Sequence, residues 1–127
     1  MNIRKATPIL VVDAITPETV AFWEKTGWKK VVDVPHAGSI GFVLFAQSER
    51  EVMLQTKASV NEDLGLPDLQ PAFALYLDVE NLAEARAECE KAGGRIRIQE
   101  RKTFYGALEC WATDPAGNLL GYAQVKG

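Results

Sequence analysis

Few side chains in this sequence are suited to acid–base or nucleophilic chemistry. His36 is the sole histidine, and the proline and glycine in residues 35–39 are typical of a turn. A Ser-His-Asp set is therefore not indicated. Basic residues alternate with the carboxylates of one predicted helix, which favours a solvated surface over general acid–base catalysis. These carboxylates are Glu84, Glu88 and Glu90. We predict no catalytic residue.

Aromatic side chains that carry a polar atom are more informative. Tyrosine and tryptophan bury a large apolar area and keep one hydrogen-bonding group, so they serve both in cores and in ligand sites. We consider both roles for Trp23, Tyr76, Tyr105, Trp111 and Tyr122. The residues predicted to pack in the core are Phe22, Phe42, Phe45 and Phe73.

The composition is that of one globular domain. The chain has 127 residues, of which 47% are hydrophobic, and can bury a core without disulfides. Its net charge is -3 and it has no basic stripe, so nucleic acid is not expected as a partner. No segment resembles a membrane span or a signal peptide. We expect a cytoplasmic protein, without membrane partners, in which Cys89 and Cys110 are separate thiols.

The same order of elements occurs twice along the chain. A strand, an aspartate, a helix, the sequence Glu-Lys-x-Gly and three further strands are predicted in residues 8–56 and again in residues 73–124. Two copies displaced by about 65 residues indicate a duplicated half-domain and not a solenoid. The predicted fold is α+β, with two βαβββ modules (about 1–60 and 71–127) in a single domain, residues 1–127.

Start and stop signals locate the two predicted helices. Thr16 before Pro17 predicts the start of the first helix, and Gly27 its end. Asn81 predicts the start of the second helix and Gly93 its end. The buried stripe of the second helix should comprise Leu82, Ala85, Cys89 and Ala92. Residues 57–70, rich in Asn, Asp, Gly and Pro, are predicted to form an irregular linker.

The strand patterns predict a ligand-binding cleft. Two small curved sheets side by side would leave a concave surface between them. In residues 107–113 the apolar positions 108, 110 and 112 share one face and should pack beneath the helix. Trp111 on the other face should then contact the cleft.

Several motifs together resemble the vicinal oxygen chelate superfamily, which includes glyoxalase I, extradiol dioxygenases, fosfomycin-resistance enzymes and bleomycin-resistance proteins. The motifs are residues 8–12 before a helix with Phe22-Trp23 and Gly27-Trp28, residues 75–79 before Asn81-Leu82, and Asp-Pro-Ala-Gly-Asn at 114–118 before the last strand. The resemblance covers nearly the whole chain. It implies the glyoxalase/bleomycin resistance-like fold, a curved mixed sheet around a cleft, and a homodimer.

The resemblance also implies where a metal would bind. Enzymes of this family hold a divalent cation with His, Glu or Gln side chains, since such cations need nitrogen and oxygen ligands. The corresponding positions here carry Thr7, Met53, Ala74 and Gly121. A shifted alignment would add only Gln55. We therefore expect no metal and no cofactor, and a cleft floor made roomy by the small residues.

These observations leave three functional hypotheses. We predict metal-independent binding of a flat or amphipathic small molecule, similar to bleomycin-resistance proteins, which sequester an antibiotic. The alternatives are a glyoxalase- or dioxygenase-like metalloenzyme with a non-standard metal site, and an accessory module whose cleft is filled by its own side chains. The candidate ligand-binding residues are Trp111, Tyr105, Tyr76, Met53, Gln55, Gly121 and Trp23.

Overall fold

The structure is a computed structural model that describes residues 1–125, so the last two residues of the predicted domain lie outside the described part. The strands are β1 (Ile3–Val12), β2 (Lys29–His36), β3 (Ser39–Gln47), β4 (Arg50–Thr56), β5 (Phe73–Val79), β6 (Arg95–Lys102), β7 (Ala107–Thr113) and β8 (Leu119–Val125). The helices are α1 (Pro17–Lys25), α2 (Lys57–Leu64) and α3 (Leu82–Lys91). The predicted α+β class and the repeated βαβββ order are confirmed.

The chain divides into two compact units that differ from the predicted modules at the N-terminus. The N-terminal unit comprises Thr7–Phe73, and the C-terminal unit comprises Met1–Ala6 together with the chain from Ala74 onward. The first six residues belong to the C-terminal unit because they pair with it. Asn2 Nδ2 donates to Glu80 Oε2 (2.6 Å), and Arg4 Nη2 donates to Asp78 Oδ1 (3.2 Å).

In the N-terminal unit, α1 covers one face of a sheet with the strand order β2-β3-β4-β1. β1 runs parallel to β4, and the other neighbouring strands are antiparallel. The predicted start of α1 is confirmed, since Thr16 accepts a hydrogen bond from Thr19 N (3.2 Å) and Pro17 follows it. The buried core comprises Ile15, Val43, Phe45, Val52 and Leu54.

In the C-terminal unit, α3 covers one face of a sheet with the strand order β5-β8-β7-β6. β5 runs parallel to β8, and the β7 pairings are antiparallel. The core between helix and sheet comprises Leu77, Val79, Leu82, Ala85, Cys89, Cys110, Ala112 and Tyr122. Tyr122 therefore takes the core role. Ala92 does not join the stripe, because α3 ends at Lys91 and Ala92 is its exposed C-cap.

Three other differences from the sequence analysis concern α2, Phe22 and Phe73. The segment predicted as a linker contains α2, which begins after Thr56 and ends at Gly65 in a left-handed conformation (φ 65°). Phe22 is 61% exposed, because neighbouring positions of a helix point about 100° apart and Trp23 takes the inward position. Phe73, also predicted in the core, begins β5 and is 45% exposed. Among residues 1–125, no helix has the length and apolar character needed to cross a membrane.

Candidate functional site

The candidate site lies on the sheet face of the C-terminal unit that α3 leaves uncovered. On β7, Cys110 and Ala112 pack in the core with α3, so the alternation of the strand directs Glu109 and Trp111 to the opposite face. The prediction that Trp111 does not pack beneath the helix is confirmed. Its contact with a ligand in a cleft stays a prediction.

Gly121 lies between two aromatic side chains in this face. It pairs with Trp111 of β7 on one side and with Tyr76 of β5 on the other. The rings of Tyr76 and Trp111 lie with centroids 5.9 Å apart and planes tilted by 45°. A Cβ atom at Gly121 would lie 2.7 Å from Cη2 of Trp111 and 2.8 Å from Cζ2 and Cζ3, so the indole covers the glycine.

The expectation of a roomy floor at Gly121 is therefore wrong. The volume that the glycine leaves is taken by the indole of Trp111, which is only 5% exposed. Ala74, the other small residue considered for the floor, is also buried. Contact between Trp111 and a ligand would be confined to the small part of the ring that remains accessible.

A buried carboxylate organises the polar groups of the site. Glu109 is fully buried, and its Oε1 accepts hydrogen bonds from Nε of Arg101 (2.8 Å) and Nε1 of Trp111 (2.8 Å). Nη2 of Arg101 also lies 2.8 Å from Oε1 and forms an ion pair with it. Oε2 accepts from the hydroxyl of Tyr105 (2.5 Å) and from that of Tyr76. A buried charge is tolerated when it is paired and fully hydrogen-bonded, as here.

The alternation that placed Trp111 on this face of β7 also places Glu109 there, but neither Glu109 nor Arg101 was predicted to belong to the site. The available signal was a single charged residue in the otherwise apolar and neutral stretch 107–113. A charge in a strand of this kind needs a partner. The partner lies in β6, where Arg101 is directly opposite Glu109 in the β6–β7 register.

The two tyrosines remain protonated donors to this carboxylate. Burial, followed by the neighbouring charge of Glu109, raises the pKa of Tyr76 and of Tyr105 well above the ordinary tyrosine value. A phenol in this state has one proton to give and keeps its oxygen lone pairs as acceptors. The hydroxyl groups are thus fixed in position and charge.

Tyr105 forms the accessible part of the site. It lies in the turn between β6 and β7, where Gly106 adopts a positive φ of 86° and Thr103 Oγ1 accepts from Ala107 N (3.0 Å). Tyr105 is 54% exposed. Its neighbour Phe104 is 87% exposed and meets the Tyr105 ring edge to face, with centroids 5.1 Å apart.

The remaining candidate residues belong to the N-terminal unit. Met53 and Gln55 are partly buried on β4, on the face opposite the α1 core, and Gln55 Nε2 donates to Ser59 Oγ (3.0 Å). Trp23 stacks on Phe45, with centroids 5.6 Å apart and planes at 15°, and packs against the core beneath α1. For Trp23 this packing favours the core role over ligand contact.

The positions at which the family resemblance implied a divalent metal do not fit one in this chain. Met53, Ala74 and Gly121 offer no hard side-chain ligand, and Trp111 covers Gly121. Thr7 offers one hydroxyl, which donates weakly to Glu51 Oε1 (3.5 Å). Within residues 1–125, no group of three or more His, Cys, Asp and Glu side chains is arranged to hold a metal ion.

The residues considered for a non-standard metal site are engaged elsewhere. His36 contacts the carboxylate of Glu62 through Nε2, and Gln55 bonds to Ser59. Both pairs join a strand of the N-terminal unit to α2. They therefore have a structural role between strand and helix.

Comparisons with known proteins agree with this fold. The model of the Glyoxalase/Bleomycin resistance protein/Dioxygenase superfamily matches residues 7–122. A superfamily member from Vibrio splendidus is 17% identical over 94% of this chain and 97% of its own, with a TM-score of 0.67. Methylmalonyl-CoA epimerase from Mycobacterium tuberculosis is 16% identical over 95% of this chain and 87% of its own, also with a TM-score of 0.67. At these identities, the likeness shows the fold alone.

A bleomycin resistance determinant encoded on the transposon Tn5 is 24% identical over 97% of this chain and 98% of its own. Its TM-score of 0.41 is too low to support an argument about the site. Comparison with curated proteins found no match. The family resemblance seen in the motifs is confirmed, while the ligand has to be argued from the residues of this chain.

Proposed function

The chain belongs to the glyoxalase/bleomycin resistance protein/dioxygenase superfamily, and we propose that it binds a flat or amphipathic small molecule without a metal ion. The proposed site is the sheet face that carries Tyr76, Tyr105 and Trp111. An antibiotic is one ligand class that the proposal includes, because the superfamily contains bleomycin-resistance proteins. The proposal rests on the aromatic cluster that Glu109 holds in place.

The cluster is suited to binding because its side chains are already ordered. The hydroxyls of Tyr76 and Tyr105 and the indole N–H of Trp111 all donate to the same buried carboxylate. Ordering side chains on binding costs free energy, so groups held in advance bind at lower cost. A flat ligand could stack on Tyr105, which is half exposed, and reach the edge of Tyr76.

Metal independence is supported by the side chains at the positions where the family resemblance implied metal ligands. Met53, Ala74 and Gly121 cannot supply the oxygen or nitrogen ligands that a divalent cation requires. Purified protein should therefore contain no stoichiometric Ni, Zn, Fe or Mn by elemental analysis. A stoichiometric metal that survives dialysis would instead support the metalloenzyme hypothesis.

Binding itself is tested by titration with a panel of planar compounds while tryptophan fluorescence is followed. Tyr105→Ala should weaken the binding of any compound that the protein takes up by about tenfold, the scale of one lost aromatic contact. Phe22→Ala is the matched control, since Phe22 is also an exposed aromatic but lies on α1. An equal loss of affinity in both variants, or no loss of affinity in Tyr105→Ala, would place the site elsewhere.

Trp111 is a poorer test residue than the sequence suggested. Truncating a tryptophan that faces a cleft would lower the stability of the fold only a little. Trp111, however, is buried against Gly121. Its replacement by alanine should cost about 3 to 5 kcal/mol of stability, as for other buried large side chains. Loss of binding in Trp111→Ala would then be confounded with loss of structure.

One observation favours a second candidate function, that of an accessory module without a ligand. The space over Gly121 is filled by a side chain of the chain itself. If this function is correct, no compound of the panel changes the fluorescence or raises the melting temperature of the folded protein. Saturable binding of any panel compound that Tyr105→Ala weakens would exclude it.

A further inference from the structure

Two phenolic oxygens lie side by side in the site, one of them on the half-exposed Tyr105. The hydroxyl oxygens of Tyr76 and Tyr105 are 3.2 Å apart. Both also lie within hydrogen-bonding distance of Oε2 of Glu109. Each hydroxyl has a single proton, so the positions of two protons decide what this pair presents to a ligand.

Both protons are directed at Glu109. A hydrogen bond from a hydroxyl to a carboxylate is shorter and roughly twice as strong as one to a neutral oxygen. Leaving Oε2 without its donors would also leave a buried charged group unsatisfied. The contact between the two phenols is therefore an approach of two acceptor oxygens, each with lone pairs left over.

The charges beside the phenol pair are balanced. The guanidinium of Arg101 is paired with Oε1 of Glu109 through Nε and Nη2. Its positive charge is thus matched by that carboxylate, at the oxygen that does not accept from the phenols. What the phenol pair offers a ligand is acceptor oxygen beside two aromatic rings.

We infer that the ligand of the proposed function presents a hydrogen-bond donor, best supplied by a protonated amine, that bridges the hydroxyl oxygens of Tyr76 and Tyr105. A carboxylate, carbonyl or ether oxygen at this point would meet only lone pairs. An ammonium group has three donor protons and also gains from the neighbouring ring faces. The inference rests on the proposed function and adds the polar group of the ligand to it.

Three naphthalene compounds that differ in one substituent test the inference: naphthylmethylamine, naphthylacetate and methylnaphthalene. Their dissociation constants are measured by isothermal titration calorimetry at neutral pH, where the amine is protonated. The amine should bind about tenfold more tightly than the uncharged compound, and the carboxylate more weakly than both. Equal binding of all three leaves the proposed function standing and overturns the inference, whereas no binding of any contradicts the proposed function itself.

Variants then test whether the preference for the amine depends on the two hydroxyls. Tyr105→Phe should reduce the preference for the amine to about threefold or less, and Tyr76→Phe likewise. The control is Tyr122→Phe, which removes a hydroxyl from the same sheet on the face covered by α3 and should leave the preference intact. Because Tyr76→Phe removes a donor from a buried carboxylate and can lower stability, the half-exposed Tyr105 provides the decisive variant. An amine preference that persists in folded Tyr105→Phe would contradict the inference.

Discussion

The missing side chain of Gly121 has a specific use in this protein. Glycine within a strand usually weakens the sheet, and it often marks a close approach of another group. Here that group is the six-membered ring of Trp111, which lies across the glycine. At the position where the family resemblance implied a metal-binding carboxylate, this chain has an aromatic contact.

Adding a methyl group at Gly121 should therefore destabilise the protein through Trp111. Gly121→Ala is expected to lower the free energy of unfolding by about 1 to 3 kcal/mol, because the indole must shift by several tenths of an ångström. In a Trp111→Ala background the same change should cost less. Urea denaturation of the four proteins of this double-mutant cycle measures the coupling. Strictly additive losses would mean that the two residues do not share this space.

Gly121→Glu extends the same test to the metal hypothesis. It should lower stability further, since the longer side chain also brings a charge into the buried face. It should not produce stoichiometric binding of Ni or Zn. A variant that gains a metal without losing melting temperature would show that other ligands are present.

The tyrosines should make the protein sensitive to alkali. Burial raises the pKa of Tyr76, Tyr105 and Tyr122 in the folded state, so folding favours the neutral phenol. This contribution to stability is complete below the unfolded-state pKa of about 10 and is lost as the pH rises above it. Burial also raises the pKa of Cys110 from 9.0 to about 11. The thiol therefore adds a loss of stability that begins at a lower pH than the loss from the tyrosines.

Absorbance of tyrosinate against pH, followed together with circular dichroism, checks this expectation. The folded protein should show little tyrosinate at about pH 10, and the signal should rise with unfolding. Protein unfolded in urea is the control and should titrate near the ordinary value. Complete titration near pH 10 with an unchanged dichroism spectrum would contradict the prediction.

The start of α3 depends on two side chains from different elements. Asn81 accepts from Glu84 N (2.9 Å), which is the local cap that the sequence predicted, and Gln124 of β8 accepts from Leu82 N (2.8 Å). Sequence patterns report the first contact because its partners are three residues apart. The second joins residues 42 positions apart and exists only when the helix lies on the sheet.

Removing the Asn81 cap should lower the stability of the protein by the amount typical of a helix N-cap residue. Asn81→Ala is expected to lower the free energy of unfolding by about 1 kcal/mol, as measured by urea denaturation. Asn81→Asp keeps the acceptor oxygen at the positive end of the helix dipole and should be close to neutral. Equal losses in both variants would indicate that Gln124 and packing alone fix the helix start.

The assembly of the whole molecule stays a prediction. The superfamily resemblance implied a homodimer, and each unit has an edge strand, β2 or β6, at the end of its own sheet order. β2 exposes Val31 and Val32, which are apolar residues of the kind that partners cover. Light scattering should give a mass of two chains of 14.0 kDa each. A single-chain mass across the working concentration range would contradict the dimer.

The order of the elements could be predicted from the sequence because its signals are local. Alternation placed Trp111 and Glu109 on one face of β7, and the cap residues located α1 and α3, since each signal involves neighbours along the chain. The same local signals failed for α2, where turn-forming residues follow Thr56 but still form a short helix. They also failed for Phe22 and Phe73, whose hydrophobicity does not say which side of an element faces the core.

Only the tertiary structure decided which charge meets Glu109. In the register set by Ile98 and Trp111, the residue opposite Glu109 would be Glu100, and two carboxylates would face each other. An irregularity in β6 between Ile98 and Arg101 shifts the pairing by one residue and brings Arg101 opposite Glu109 instead. The extra residue of a bulge changes which side chains face each other across the ladder, and the composition of β6 alone does not specify where that residue is accommodated.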